Sequence, residues 1–205
     1  MPLSVSIPDL GLAAIPLVMA LASVIVLAGL YNTLAIARVR MRNALSQIDV
    51  QLRRRHDLIP SLVETVRGYM RHEQETLQAI TRARADAMRA MEGVAASDRG
   101  AIRALAIASA SLDGALHGLL ARVEAYPDLK ASAVMQNLQE ELVSTENRVA
   151  FARQAFNDAV MRLNERIATF PSNLVARLFG FVAAEPWQTE AETRAVPDVR
   201  TGSAR

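Results

Sequence analysis

Between Leu10 and Ala37 the chain runs for 28 residues without a charge, and Leu10 to Leu30 is almost wholly apolar. A helix rises about 1.5 Å per residue, so roughly 20 such residues cross a bilayer's hydrocarbon. The preceding MPLSVSIPD has no basic residue, and the apolar run is longer than the core of a secretory signal. The run is therefore read as a transmembrane helix over residues 10–37, after a short outer N-terminus of residues 1–9. Flanking charge gives the orientation. Only Asp9 precedes the span, whereas Arg38, Arg40, Arg42, Arg53, Arg54 and Arg55 follow it, offset by Asp49 alone. The positive-inside rule places the N-terminus outside and the remaining bulk in the cytoplasm, with a single crossing. Tyr31 stands where an interfacial aromatic would, and Arg38, Arg40 and Arg42 are the candidates for facing lipid headgroups.

Past this edge the charge balances. From His56 to Ala183 there are 14 basic and 15 acidic residues. A nucleic-acid binder carries its positive charge along a face of the domain, so that class is excluded. The absence of cysteine excludes a disulfide scaffold and thiolate metal sites.

Apolar residues recur at helical spacing throughout. Met41, Leu45, Ile48, Leu52 and Ile59 stripe a stalk that continues the span to about Leu58. Pro60 is expected to end it, with Ser61 and Glu64 as a capping box opening the next helix, which runs to about Met91. Its inward residues are Leu62, Val66, Tyr69, Leu77, Ile80 and Ala87. A third helix carries Ile102, Leu105, Ser109, Leu112, Leu116, Leu119, Val123 and Tyr126. YPDLK reads as a turn. A fourth, long helix, about Lys130 to Phe170, carries Leu138, Leu142, Thr145, Val149, Ala152, Phe156, Val160, Leu163, Ile167 and Phe170. Pro171 ends it, and Ser172 is expected to cap the short segment SNLVARLFGF. From residue 184 the composition suggests a flexible tail to residue 205. The fold class is all-α: a transmembrane helix continuing into an antiparallel helical bundle over residues 38–183, with about four long helices, a short C-terminal one and coiled-coil-like stripes.

Catalytic and cofactor chemistry finds no foothold. None of the three histidines has a glutamate three residues earlier, and no phosphate-binding glycine loop or nucleophile elbow is present. The chain is read as a non-enzyme with no cofactor, metal or catalytic residue. Asn147, Asn157 and Asn164 lie near the stripe of the last long helix and are read as fixing register, the alternative being a polar ligand-binding layer. Arg53, Arg54 and Arg55 flank a helix end or meet acids on another helix or subunit. Leu174, Leu178, Phe179 and Phe181 cap the bundle, lie on a membrane or dock on a neighbour; with the three arginines they form the candidate interaction surface.

Several stretches resemble one family. YNTL (Tyr31 to Leu34), SQIDVQLRRRHDLIPSLVETVRGY (Ser46 to Tyr69) and HEQETL (His72 to Leu77) are followed by YPDLKA (Tyr126 to Ala131). LQEELVSTENRVAFARQAFNDAVMRLN (Leu138 to Asn164) and FPSNLVARLFGF (Phe170 to Phe181) complete the set. Together they identify the chain as similar to LemA-family proteins, with Leu45, Ser61 and Leu163 where Trp, Asn and Tyr are usual. The resemblance implies a bacterial single-pass membrane protein with a cytoplasmic helical bundle, and supplies no catalytic residue. It also brings a neighbourhood with TPM-domain proteins or membrane metallopeptidases. The expected function is a membrane-anchored, non-enzymatic scaffold that self-assembles as a homo-oligomer. Its expected partners are the lipid bilayer, further copies of itself and another envelope protein, with no nucleic acid. The alternative is an accessory or adaptor subunit of a membrane protease or signalling system.

Overall fold

The structure, a computed structural model, describes residues 7–92, 94 and 99–188. Among them are six helices and no strand: α1 (Ile7–Arg67), α2 (Gln74–Glu92), α3 (Arg99–Val123), α4 (Pro127–Lys130), α5 (Ala133–Ala168) and α6 (Ser172–Leu178). α1 is one rod of 61 residues, about 90 Å long. α5 runs antiparallel along it, so that Arg54 meets Glu141 near one end and Thr33 meets Arg166 near the other. α2 and α3 form an antiparallel hairpin laid against this pair, from Glu73 and Arg122 at one end to Met91 and Ile102 at the other.

The core divides into three clusters along α1. The cluster farthest from the apolar segment joins all the long helices, with Leu62, Ile80, Leu116 and Leu142 among its buried members. The middle one gathers Ile48, Leu52, Leu105, Phe156 and Trp187. The third is small: Leu34 of α1 against Val175, Ala176 and Phe181. Phe156 is fully buried, and its ring contributes about 2–3 kcal/mol through burial alone. The α3 helix is also long and apolar enough to cross a membrane, but its stripe from Ile102 to Val123 is spent on the core. The stretch at residues 14–29 has no such use, and its side chains are exposed.

Pro60 does not end a helix. α1 passes through it to Arg67, and the chain reverses instead at Gly68–Glu73. Proline removes the N–H that would bond the carbonyl of His56, four residues earlier, which is the usual reason a helix breaks there. Here Nε of Arg84, from α2, donates to that carbonyl at 2.8 Å. A side chain from the neighbouring helix replaces the missing backbone donor. Ser61 and Glu64 are consequently helix-interior rather than a capping box, and the Ser61 carbonyl accepts from Thr65 Oγ1. Arg84→Met should cost about 1–3 kcal/mol, because it orphans a buried carbonyl. In a Pro60→Ala background the loss should shrink, since residue 60 then supplies its own N–H. Urea unfolding in mild detergent measures both, and equal losses in the two backgrounds would refute the substitution of donors.

Other sequence expectations shift with local detail. Tyr69 and Phe170 are exposed rather than inward, and Met135, not singled out by periodicity, is fully buried. YPDLK contains a single helical turn, α4. Ser172 does not cap α6: its hydroxyl donates back to the carbonyls of Arg166 and Thr169 at the end of α5.

Residues 184–187 are packed and not part of a flexible tail, because residues 181–188 lie against α5 as an extended strap. Asn157 and Asn164 hold it by its backbone. Asn164 accepts from Ala184 N and donates to Ala184 O, both at 2.8 Å. Asn157 does the same for Trp187, at 2.7 and 3.1 Å. Two amides seven residues apart on one helix face thus pair with an extended segment as a neighbouring strand would. Asn147 is exposed and takes no part. The clamp seats Trp187, 2% exposed, in the middle cluster with Arg153 over its ring at 5.0 Å. Trp187 is the only tryptophan. Asn157→Ala combined with Asn164→Ala should release the strap and shift tryptophan emission to the red; an unchanged spectrum would show that the indole alone holds it. Residues 189–205 lie outside the described residues.

Candidate membrane interface and buried polar layer

The residues singled out from sequence fall into two places. The first is the end of α1 nearest its exposed apolar segment. Tyr31, 40% exposed, meets the ring of Phe179 edge-on at 4.9 Å and that of Phe181 at 5.7 Å. Arg38 lies 3.9 Å over the Phe181 ring, and its guanidinium donates to the Gly180 carbonyl at 3.5 Å. Arg38 is therefore half-buried in the protein rather than free to face lipid. The turn it holds ends α6. Phe181 N donates to Ala176 O at 2.8 Å and Gly180 N to Arg177 O at 3.4 Å, the paired bonds of a Schellman motif. The motif needs a left-handed residue, which Gly180 provides at φ 66°. Phe181 is thereby tucked into the small third cluster and is not part of an outer surface. Leu174, Leu178 and Phe179 remain exposed. Arg40 lines a shallow hollow with Ile36, Arg162 and Arg166, and Arg42 borders another beside Gly180 and Leu163.

The second place is the boundary between the two larger clusters, where the arginine triplet diverges. Arg53 pairs with Asp49 on its own helix at 3.0 Å, at the surface. Arg54 reaches Glu141 of α5 at 3.1 Å, half exposed. Arg55 is buried, and its Nη1 bonds Asp113 of α3 at 2.5 Å. The other Asp113 oxygen faces Arg153 of α5 at 3.6 Å. With Ser109 on α3 and Arg84 on α2, a polar layer joins all four long helices. Arg54 and Arg55 thus meet acids on other helices, as one of the two sequence readings held; the helix end of the other reading is absent at this position. His56 is 1% exposed in the same layer. Burial, then the positive charges of Arg84 and Arg55, push its imidazole down from 6.5 to about 4. Burial likewise lowers the Arg153 guanidinium, against the pull of Asp113. Sequence reading passed over Asp113 and Arg153; Asp113 directly follows the stripe residue Leu112, and that adjacency was the available signal.

At the far end of the rod an open groove of about 620 Å³ lies between α1 and α2, lined by Val63, Met70 and Leu77 with Arg67, Arg71 and Arg82. Among the described residues no three His, Asp or Glu side chains are placed to hold a metal ion.

A bundle whose first helix continues into an exposed apolar segment of membrane-crossing length defines a class: membrane-associated helical proteins. Residues 44–200 match the LemA family, and the chain belongs to it. Magnetosome protein MamQ 1 of Paramagnetospirillum magneticum is 26% identical over 175 residues, covering 77% of this chain and 64% of its own. Magnetosome protein MamQ of Magnetospirillum gryphiswaldense is 33% identical over 88 residues, covering 43% and 32%. Protein LemA of Metamycoplasma hominis is 28% identical over 149 residues, covering 73% and 64%. The chain thus spans less than two thirds of the length of these relatives.

Proposed function

We propose that this protein is a non-enzymatic scaffold anchored in a bacterial inner membrane by the start of α1. Its N-terminus lies outside, its bundle in the cytoplasm, and it self-assembles to organise membrane or to hold an envelope partner. The observation that carries this reading is the unbroken α1, in which exposed apolar residues at 14–29 pass without a joint into the bundle's central rod. Such continuity couples the bundle rigidly to a bilayer, which suits a scaffold better than a tethered, freely rotating domain. The flanking arginines support the orientation. The relatives named magnetosome proteins support membrane association.

A phosphatase fused after residue 205 should be inactive in the periplasm, and activity there would overturn the orientation. Mass photometry in mild detergent should show particles of several copies; a strictly monomeric particle would sink self-assembly. The second reading, an adaptor subunit for a membrane protease or signalling system, is favoured by the tip groove with its three arginines. Crosslinking in cells would then recover a reproducible non-self protein through labels at Arg71 or Arg82.

A further inference from the structure

α6 is bound to one height on α1. Leu30 and Leu34 pack against Val175, Ala176 and Phe181, Tyr31 touches Phe179, and Arg38 holds Gly180. These contacts span residues 30–38, about 12 Å of helix rise. Immediately below them begins the apolar stretch whose side chains are all exposed. A hydrocarbon slab of about 30 Å takes roughly 20 residues, and each headgroup layer adds about 5–8 Å. Twenty residues counted from Leu10 end the hydrocarbon crossing near Leu30, short of the uncharged run's end at Ala37, and set α6 within the headgroup layer.

The outward side of α6 suits that position. Leu174 and Leu178, four residues apart on one face, are 57% and 73% exposed, and Phe179 beside them is 53% exposed. Phe170, just before the helix, is 75% exposed. The inner side, Val175 and Ala176, is already occupied by Leu34. At the same height Arg40, Arg162 and Arg166 surround one hollow. Arg166 donates to the Thr33 carbonyl, and among the described residues none of the three forms an ion pair. The neighbouring acids on α5 are Asp158 and Glu165. An apolar underside beneath a collar of guanidiniums is the arrangement of an interfacial helix on an anionic bilayer.

We propose that α6 is a second membrane contact. Leu174, Leu178 and Phe179 enter the bilayer interface beside the span, and Arg40, Arg162 and Arg166 meet lipid phosphates. The inference rests on the reading of α1 as a span. The occupant is lipid rather than a second copy because the patch is continuous with the exposed apolar face of α1 and lies at its upper edge. A seven-residue helix binds a bilayer weakly alone; held in place by α1 it needs no affinity of its own.

The chain has no cysteine, so single cysteines can carry a spin label without other changes. The full chain, reconstituted in phosphatidylethanolamine–phosphatidylglycerol vesicles, would be labelled at Leu174→Cys, Leu178→Cys, Ile25→Cys and Val134→Cys, all exposed positions. Helical content checked by circular dichroism would confirm that each variant folds. Relaxation by oxygen and by a water-soluble nickel chelate then reports depth. Labels at 174 and 178 should favour oxygen over nickel, as at 25, while 134 favours nickel. Nickel access at 174 and 178 with oxygen access at 25 would overturn the α6 contact and leave the span standing. Nickel access at 25 as well would overturn both. Shielding of 174 and 178 from both reagents would show a protein cover, and would also overturn it.

Discussion

Asp113→Ala should destabilise the bundle by about 3–5 kcal/mol, the largest single effect expected outside the apolar core. The reason is burial rather than the number of ion pairs. Arg55 is 3% exposed and Asp113 is its acidic partner, so truncating Asp113 strands a guanidinium in the interior. Arg153 loses its carboxylate at the same time. The exposed pair next door supplies the control. Arg54 and Glu141 are half in water, and Arg54→Ala should cost less than about 1 kcal/mol. Urea unfolding in detergent, followed by circular dichroism, gives both numbers. Comparable losses for the two variants would mean that water reaches Arg55 and that its pairing with Asp113 is no stronger than a surface ion pair.

Acidification should weaken the fold through His56. Its imidazole is held neutral in the folded state down to about pH 4, whereas an unfolded chain protonates it near 6.5. Between those values the unfolded state binds the extra proton, so stability falls as pH drops through that window and is unaffected by this group above it. At about 1.4 kcal/mol per pH unit the loss amounts to roughly 3 kcal/mol. Carboxylates titrate over part of the same range, so the quantity to follow is the difference between wild type and His56→Leu. That difference should change by the stated amount from pH 7 to pH 4. A difference independent of pH would show that the imidazole is protonated in place, with Asp113 or Asp57 accommodating the charge.

How much of this was legible in sequence follows from which physical term decided each feature. The stripe from Ile102 to Val123 came through because burial repeats every three or four residues and nothing competes with it. The apolar run from Leu10 was legible for a different reason: an unbroken stretch without charge stands out with no periodicity at all. Pro60 misled because a local rule, that proline breaks a helix, was answered by a side chain 24 positions further on; Arg84 can be placed beside His56 only once α2 is folded back. Asn157 and Asn164 were recognisable as polar residues near a stripe. Their partner, the backbone of Ala184 and Trp187, carries no side-chain signature at all. Among the residues offered for an interface, Tyr31 and Leu178 are exposed. Arg38 and Phe181 turn inward because Gly180 reverses the chain, a consequence of one glycine's dihedral angle that periodicity does not encode.

The uninterrupted passage through Pro60 has a mechanical consequence. From Tyr31 to Arg67 the rod measures about 55 Å, with no joint along it. Membrane helices tilt by about 20° on average, and the angle responds to bilayer thickness. On a lever of this length a change of about 10° at the bilayer displaces the groove beside Arg67 sideways by about 10 Å. A helix broken at Pro60 would have absorbed that motion at the hinge. If α1 spans the bilayer as proposed, the unbroken rod delivers that motion to the tip, and thickness at one end becomes position at the other.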